Sequence, residues 1–302
     1  MEQAPGGPRT GTQRPPSYRA AIEPIEFQSG SETVRGAYAL PRYGAPKGTV
    51  VFLHGLLSSR EEFDEFPLWV SDEGYASLAF DFRGHGQSEG PRSLVSVERS
   101  LGDIEAALRF LEGTGRLKGP LSLVGHSLGG VTALAVAADP RFAPKVRSLV
   151  VMAPFRRIRD ELSFVERAGY AALYGADLLS RRLKFDLSIP YKARYEDLFA
   201  DPAAVARARQ MGFLQQRVRV ANWPYVKNLD ATTFAAKVKA PTLVVAGGKD
   251  TFIVPARSKA VFDSLTCEKE WVEVAKSGHS MMMDHASAEV FDHMVSWLDR
   301  WA

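Results

Sequence analysis

Val124-Gly125-His126-Ser127-Leu128-Gly129-Gly130 joins a short apolar run to an alanine-rich run. The apolar run, residues 120–124, has the length and composition of a buried strand. Residues 131–138 are rich in helix formers and stop before Pro140. A strand, a turn on glycines and a helix follow one another here, which is the context that a Gly-x-Ser-x-Gly motif requires.

The residue types of this turn suit a serine that points away from the end of a strand. A reversal this sharp forces Ser127 into sparsely populated backbone dihedrals. Gly125 and Gly129 remove the side chains that would collide where strand and helix approach. The helix N-terminus directs the amide of Leu128 toward the place where an oxyanion would form. We therefore predict that Ser127 is a nucleophile, with a surface Gly-Ser turn as the alternative.

The composition of the chain bounds what it can be. Its 302 residues suffice for one large α/β domain, and 45% hydrophobic with 24% charged residues is typical of globular proteins. A net charge of +3 is too weakly basic to indicate nucleic-acid binding. No apolar run reaches the roughly 18 residues of a membrane span. The lone Cys267 excludes an internal disulfide framework and fits a reducing compartment, so we expect a cytoplasmic protein.

Strand-like and helix-like segments alternate along most of the chain. This alternation predicts a mostly parallel sheet with helices on both faces. It is interrupted over residues 155–236, where helical periodicity continues without a convincing strand. We predict a disordered leader over residues 1–20, an α/β core formed by residues 21–154 and 237–302, and a helical insertion over residues 155–236 that lies over the strand ends. Strands are expected at 25–27, 34–40, 48–53, 76–80, 120–124, 145–152, 240–246 and 270–274, with helices from 58, over 96–111, over 256–265 and at the C-terminus.

A nucleophilic serine needs a base, and six histidines are candidates. His279 lies in the loop after the last strand, where Gly278 gives it backbone freedom, and it is the predicted base. His285 is the alternative. His126 lies inside the turn and cannot readily reach the front of Ser127. The other three are His54, His85 and His293.

The base in turn needs an orienting acid and an oxyanion hole. Asp250 follows two glycines at the end of the penultimate strand, at the same edge of the sheet as His279; a turn aspartate or a helix cap is the alternative. The order serine, aspartate, histidine is the one found on this type of sheet. The backbone amide of Leu56, in the loop after the first long central strand, is the predicted second oxyanion donor beside Leu128. No His, Cys and carboxylate cluster has zinc-like spacing, so neither metal nor cofactor is expected.

Several motifs together resemble one family. The chain is similar to the α/β-hydrolases of the serine hydrolase group over about residues 22–302, and most similar to monoacylglycerol lipases and lysophospholipase-like esterases. The resemblance implies an α/β-hydrolase fold, a structural role for residues 81–88, and a cap domain at residues 155–236. The motifs are His54-Gly55, Asp81-x-Arg83-Gly84-x-Gly86-x-Ser88, Gly125-x-Ser127-x-Gly129, Gly247-Gly248-x-Asp250 and Ser277-Gly278-His279.

The cap is basic and also rich in apolar residues. It holds 14 lysines and arginines against 9 acidic residues. One interpretation is a helical layer packed on the core with solvated arginines. The other is an acyl-binding roof that also makes transient contact with a membrane or lipid surface. The apolar residues are Leu162, Val165, Tyr170, Leu173, Tyr174, Leu178 and Leu179.

The predicted function is hydrolysis of a small-molecule carboxylic ester with a medium or long acyl chain. Ser127 disfavours the haloalkane dehalogenases and epoxide hydrolases, whose nucleophile is an aspartate. A proline-iminopeptidase-like exopeptidase would use cap acids such as Glu161, Glu166 or Glu196 to bind an amino group. The sequence is also compatible with a thioesterase, a cofactor-free perhydrolase or a catalytically silent binding protein. Neither the alcohol part nor the oligomeric state follows from the sequence.

Overall fold

The computed structural model describes residues 21–181, 187–190, 194–212, 214 and 217–301. The predicted leader, residues 1–20, lies outside them. Eight strands form one sheet in the order β1-β2-β4-β3-β5-β6-β9-β10. Strands β1 and β2 pair antiparallel and β2 joins β4 antiparallel, whereas all other neighbours are parallel. The sheet strands are β1 Ala21–Ser29, β2 Glu32–Leu40, β3 Thr49–Leu53, β4 Ala76–Phe80, β5 Leu121–His126, β6 Val146–Met152, β9 Thr242–Gly247 and β10 Lys269–Val274. The predicted mostly parallel sheet is confirmed.

The central strands form because they are apolar on both faces. Every residue of β3, β4, β5 and β9 is buried, as expected of parallel strands covered by helices on both sides. In β2, buried and partly exposed residues alternate over part of the strand, which suits its place near one edge. Because β3, β5, β9 and β10 are parallel, their carboxyl ends lie at one edge of the sheet. The predicted site residues Leu56, Ser127, Asp250 and His279 follow them in the chain.

Helices cover both faces of the sheet. On one face, α2 (Val97–Gly113) and α3 (Leu128–Ala138) belong to the larger apolar cluster. On the other face, α1 (Phe66–Asp72) and α9 (Ser287–Trp301) pack in a second cluster. The C-terminal helix is predicted by the sequence, and its residues Val290, Met294 and Leu298 are fully buried there. The helix predicted from residue 58 begins instead as a short 3₁₀ helix, Arg60–Phe63, ahead of α1.

The segment between β6 and β9 is mainly helical but contains two short strands. Its helices are α4 (Phe164–Arg181), α5 (Pro202–Met211), α6 (Trp223–Asn228) and α7 (Ala231–Ala235). Strands β7 (Ser188–Pro190) and β8 (Arg217–Arg219) pair antiparallel. The expectation that this segment lacks strands was wrong, because three-residue strands containing proline and arginine carry no alternating apolar pattern. After it, α8 (Pro255–Ser264) lies between β9 and β10. No helix among the described residues combines the length and apolarity needed to cross a bilayer.

Candidate active site

Ser127 lies on a strained turn between β5 and α3. Its φ of 52° and ψ of −114° are in a region that residues with a side chain rarely occupy. Its amide donates to the carbonyl oxygen of Met152 at 2.8 Å. A Cβ atom at Gly129 would collide with the Leu53 carbonyl oxygen, and one at Gly125 would collide with Gly129. The glycines therefore permit a close approach of strand and helix, as the sequence predicts.

His279 and Asp250 form a buried pair beside this turn. The Nδ1 atom of His279 lies 2.7 Å from Oδ2 of Asp250, and the two side chains are 4% and 1% exposed. The other carboxylate oxygen of Asp250 accepts the amides of Phe252 at 2.9 Å and Ile253 at 2.7 Å. A carboxylate so held can only accept from Nδ1, which leaves Nε2 of a neutral His279 as the basic nitrogen.

Two backbone-to-backbone contacts bring the acid and base loops together. The amide of Lys249 donates to the carbonyl of Ser277 at 2.9 Å, and the amide of Gly248 to that of Val274 at 2.9 Å. A Cβ atom at Gly247 would collide with the carbonyl oxygen of Gly278. The glycines after β9 therefore let the two loops pack without intervening side chains.

The predicted site residues converge on one cavity of about 200 Å³. Ser127, His279 and Leu56 line it, and Asp250 bonds to His279. Leu128 begins α3 directly after the serine and is buried. Among the described residues, no hydrogen bond joins Ser127 to His279; such bonds are often long before substrate binds.

The other histidines have different surroundings. His54 accepts the amide of Phe82 on Nε2 at 3.0 Å, so its proton lies on Nδ1 and is donated to the carbonyl of Gly55 at 2.8 Å. Burial lowers the pKa of His85 to about 3, which makes it a poor base at neutral pH. His285 is 39% exposed on its side chain and does not line the cavity, and His293 lies within α9.

The cavity wall is largely apolar and comes mainly from the segment between β6 and β9. Of the apolar residues singled out in the sequence, Leu162 and Tyr170 line the cavity, whereas Val165 is 77% and Leu178 49% exposed. The side chain of Leu179 is outside the described residues. The remaining apolar wall residues are Leu57, Phe155, Ile158, Leu198, Leu214, Val218, Val226, Phe252 and Ile253.

Three buried residues next to the site were not predicted to matter. Glu62 and His126 form an ion pair whose side chains are both 2% exposed. The carboxylate of Asp284 accepts the amides of Gly278 at 2.7 Å and Ala200 at 2.8 Å, and so ties the His279 loop to the segment before α5. Nothing in the local sequence distinguishes these acids from solvated ones, because their partners lie far away along the chain.

Residues 81–88 brace the loop beside the site. Asp81 accepts the amide of Arg60 at 2.7 Å and that of Gln87 at 2.9 Å, and it also pairs with the Arg60 guanidinium. Asp81 thus anchors the 3₁₀ helix that carries Glu62. These contacts agree with the structural role that the resemblance implies.

One group of three side chains has the spacing of metal ligands. Ligand atoms of Asp201, Asp284 and His285 lie within 4.8 Å of one another. Both carboxylates are already engaged as acceptors of backbone amides, Asp284 from Ala200 and Gly278, and Asp201 from Ala203 at 2.8 Å. We assign this group to the anchoring of two loops.

Comparison with known proteins agrees with the geometry. A family model described as serine aminopeptidase, S33, matches residues 44–286. The chain belongs to this family. It is accordingly an α/β-hydrolase, as the sequence motifs imply.

Several proteins that are similar to this S33 family member are ester hydrolases. It is 27% identical over 248 residues to a pimeloyl-[acyl-carrier protein] methyl ester esterase of Neisseria meningitidis, covering 79% of this chain and 73% of the relative. A monoacylglycerol lipase of Paleococcus ferrophilus superposes with a TM-score of 0.72 at 25% identity, covering 89% of this chain and 99% of that one. A monoglyceride lipase of Saccharomyces cerevisiae, at 18% identity and a TM-score of 0.72 over 99% of both chains, shares the fold.

Proposed function

We propose that the protein is a serine esterase that hydrolyses carboxylic esters with a medium or long acyl chain through an acyl-enzyme. The observation that carries the proposal is the meeting of three features in one apolar cavity. These are the serine on the strained turn, the hydrogen-bonded His279–Asp250 pair, and the loop of Leu56. The ester hydrolases among the similar proteins support it.

In the proposed reaction, Oγ of Ser127 attacks the ester carbonyl carbon while Nε2 of His279 accepts the hydroxyl proton. Asp250 holds the Nδ1 proton and stabilises the imidazolium that forms. The amides of Leu56 and Leu128 donate to the oxyanion of the tetrahedral intermediate. His279 then gives its proton to the departing alcohol, and a water molecule, activated by the same imidazole, releases the acid.

An exopeptidase is the second candidate, because the family is described as serine aminopeptidases. Such an enzyme would hold the substrate amino group with an unpaired carboxylate. The carboxylate of Glu166 accepts hydrogen bonds from the amide and hydroxyl of Ser163 at the start of α4, and Glu196 is paired with Arg209. Neither glutamate lines the cavity. Asp197 does line it, with Nε of Arg194 3.5 Å from its carboxylate. The side chain of Glu161 is outside the described residues. This charge balance favours a neutral ester.

The test is a substrate panel on the intact protein. Rates are compared for p-nitrophenyl esters of increasing chain length, acyl thioesters and aminoacyl-naphthylamides, with Ser127→Ala as the blank. We expect kcat/KM for octanoyl esters to exceed that for naphthylamides and thioesters of matched size. Higher efficiency on aminoacyl-naphthylamides would replace the esterase by the exopeptidase, and higher efficiency on thioesters by a thioesterase.

We further propose that α4 makes transient contact with an anionic lipid surface. Phe164 and Val165 are 78% and 77% exposed at its start. A groove beside them is lined by Phe164, Trp223 and three cations, Arg159, Arg167 and Lys227. Within the described part of the chain, none of these three cations has a carboxylate within ion-pairing distance. Exposed apolar residues beside cations suit a surface of acyl chains and phosphates.

Sedimentation with vesicles tests this contact. Phosphatidylglycerol vesicles should bind the protein and phosphatidylcholine vesicles should not. Arg167→Glu should weaken binding by about fivefold or more, since the lost cation contributes about 1 kcal/mol and the new carboxylate is repelled by the surface. Lys239→Glu is the matched control, because Lys239 is exposed just before β9, at the opposite edge of the sheet from Ser127. Equal binding to both vesicles, or equal effects of the two substitutions, would contradict the proposal.

A further inference from the structure

Glu62 and His126 form a buried ion pair at the floor of the cavity. Oε1 of Glu62 lies 3.0 Å from Nδ1 of His126, and both side chains are 2% exposed. The other ring nitrogen, Nε2, lies 3.0 Å from the carbonyl oxygen of His279. A carboxylate and a carbonyl oxygen both accept, so both ring nitrogens donate and the ring is an imidazolium.

The electrostatics of the pair agree with this protonation state. Burial alone would lower the pKa of His126. The charge and hydrogen bond of Glu62, together with the His279 carbonyl and the charge of Asp250, outweigh burial, and the pKa is raised. Burial alone would raise the pKa of Glu62. The charge and hydrogen bond of His126, together with His54 and the Ser58 hydroxyl, outweigh burial, and the pKa is lowered. The other titratable groups that act on the pair are His54, Asp250 and His279.

The same pair holds the loop that would supply the oxyanion donor. Oε1 of Glu62 also accepts the amide of Gly55 at 2.7 Å, one residue before Leu56. Leu57 follows with a φ of 60°, a conformation that a leucine adopts only when its surroundings impose it. One carboxylate oxygen therefore anchors both the strained loop and the imidazolium beside Ser127.

We propose that Glu62 and His126 are positioning residues, which fix the oxyanion loop and the carbonyl of His279 relative to Ser127. The inference rests on the proposed esterase function. The three segments are distant in sequence and meet through two side chains: Gly55 through Glu62, Ser127 as the next residue after His126, and His279 through its carbonyl. Because the pair is neutral as a whole, it adds no net charge beside the base. Removal of either partner releases two of the three segments.

The experiment compares ester hydrolysis by Glu62→Gln, His126→Gln and the double variant with that by the wild type. Each rate is divided by the concentration of folded protein, which near-ultraviolet circular dichroism measures. Each single variant should lose about 100-fold in kcat, as for a misplacement of about 1 Å, while KM changes less than about threefold. The double variant should lose little more than the worse single one, because the two residues act as a unit. Glu61→Gln is the matched control, since Glu61 is the exposed neighbour in the same turn; its kcat should stay within about twofold.

The inference would be overturned, and the proposed function left standing, by a kcat of Glu62→Gln within about threefold of the wild type. Losses of kcat that multiply in the double variant would have the same meaning. A wild type without ester hydrolysis would overturn the proposed function, and the inference with it. Nitrogen NMR of the wild-type His126 ring needs no variant to fold. A ring that keeps both protons above about pH 6.5, where a free imidazole loses one, supports the pair, and a ring that loses a proton at or below that pH contradicts it.

Discussion

At the scale of single residues, the backbone of Ser127 is strained, and the proposed role of Ser127 as the nucleophile accounts for this strain. Its φ of 52° suits glycine better than serine. Ser127 also lines the cavity and is only 7% exposed. Loss of the hydroxyl and relief of the backbone can be separated by two substitutions.

Ser127→Ala should lower the rate of ester hydrolysis by about 10⁴-fold or more and retain the backbone strain of the turn. Ser127→Gly should be equally inactive yet more stable than Ser127→Ala by about 1 kcal/mol, since strain of this kind costs about 1–3 kcal/mol and glycine returns part of the gain as chain entropy. Urea unfolding of both variants measures the difference. A Ser127→Gly variant less stable than Ser127→Ala would show that the turn is unstrained.

The assignment of the base is tested at the same scale. His279→Ala should cost about as much activity as Ser127→Ala, and the double variant little more, because the residues act together. His285→Ala should remain within about twofold of the wild type, since its side chain is 39% exposed and away from the cavity. Initial rates with one p-nitrophenyl ester decide the matter. A crippled His285→Ala would move the base by six residues.

The sequence predicts some of these residues and misses others for a physical reason. Ser127, Asp250 and His279 each follow a strand end beside glycines, so local pattern marks them and topology brings the loops to one edge. Glu62 and Asp284 carry no such mark. Their roles depend on burial and on partners such as His126 and Gly278, which only the folded chain brings near.

At the scale of elements, the His279 loop is held to the segment before α5 by Asp284. Asp284→Asn would replace one carboxylate oxygen with an amide that cannot accept, and so leave backbone amides among those of Gly278, Ala200 and Asp201 unpaired. We expect a loss of about 2–3 kcal/mol in the free energy of unfolding and a lower kcat. Thermal and urea unfolding measure the first, and ester kinetics the second.

The exposed Asp263 of α8 offers the control for that substitution. Asp263→Asn removes only a surface pair with Lys259 and should change stability by less than about 0.5 kcal/mol. Equal stability of Asp284→Asn and Asp263→Asn would mean that Asp284 does not anchor the two loops.

Burial of His85 makes the stability of its loop dependent on pH. Its pKa is about 3 in the folded protein, mainly because burial disfavours the charged ring, and about 6.5 in the unfolded chain. Between these values the unfolded state binds the extra proton, so folding loses stability as the pH falls below about 6.5, by about 1.4 kcal/mol per pH unit. His85→Gln removes this titration. Its stability relative to the wild type should improve by roughly 2 kcal/mol between about pH 7 and pH 5.

Unfolding free energies at the two pH values test this. A constant difference between His85→Gln and the wild type would contradict a neutral, buried His85. The remaining pH dependence, including that of Glu62 and His126, is common to both proteins and cancels in the comparison.

At the scale of the whole molecule, the alternation of strands and helices predicts the sheet because each central strand is apolar on both faces. It does not predict β7 and β8. Each of these strands has only three residues, and neither Pro190 in β7 nor Arg217 and Arg219 in β8 fit an alternating apolar pattern. Nor does it identify which apolar residues of the segment between β6 and β9 line the cavity. That choice depends on how the segment packs on itself, for example on the contacts of α4 with α6 and with the 3₁₀ helix Val220–Asn222.

The proposed esterase function and this apolar cavity together predict how the rate depends on the length of the acyl chain. Each acyl methylene buried in the cavity gains up to about 0.8 kcal/mol, or nearly fourfold, so kcat/KM should rise from acetyl toward roughly octanoyl esters and then level off. Val226→Phe fills part of the cavity and should shift the plateau to shorter chains while acetyl ester hydrolysis persists. Met211→Phe, at an exposed residue of α5, is the control and should leave the series unchanged. A steep preference for acetyl esters in the wild type would contradict the apolar acyl site.

The central claim is that Ser127 is the nucleophile of a serine esterase. The most direct measurement is labelling of the intact protein with a fluorophosphonate, followed by peptide mass spectrometry. We expect a single adduct on the peptide that holds Ser127, no adduct in Ser127→Ala, and labelling slowed by about 10³-fold or more in His279→Ala. An adduct at another residue, or undiminished labelling of Ser127→Ala, would contradict it.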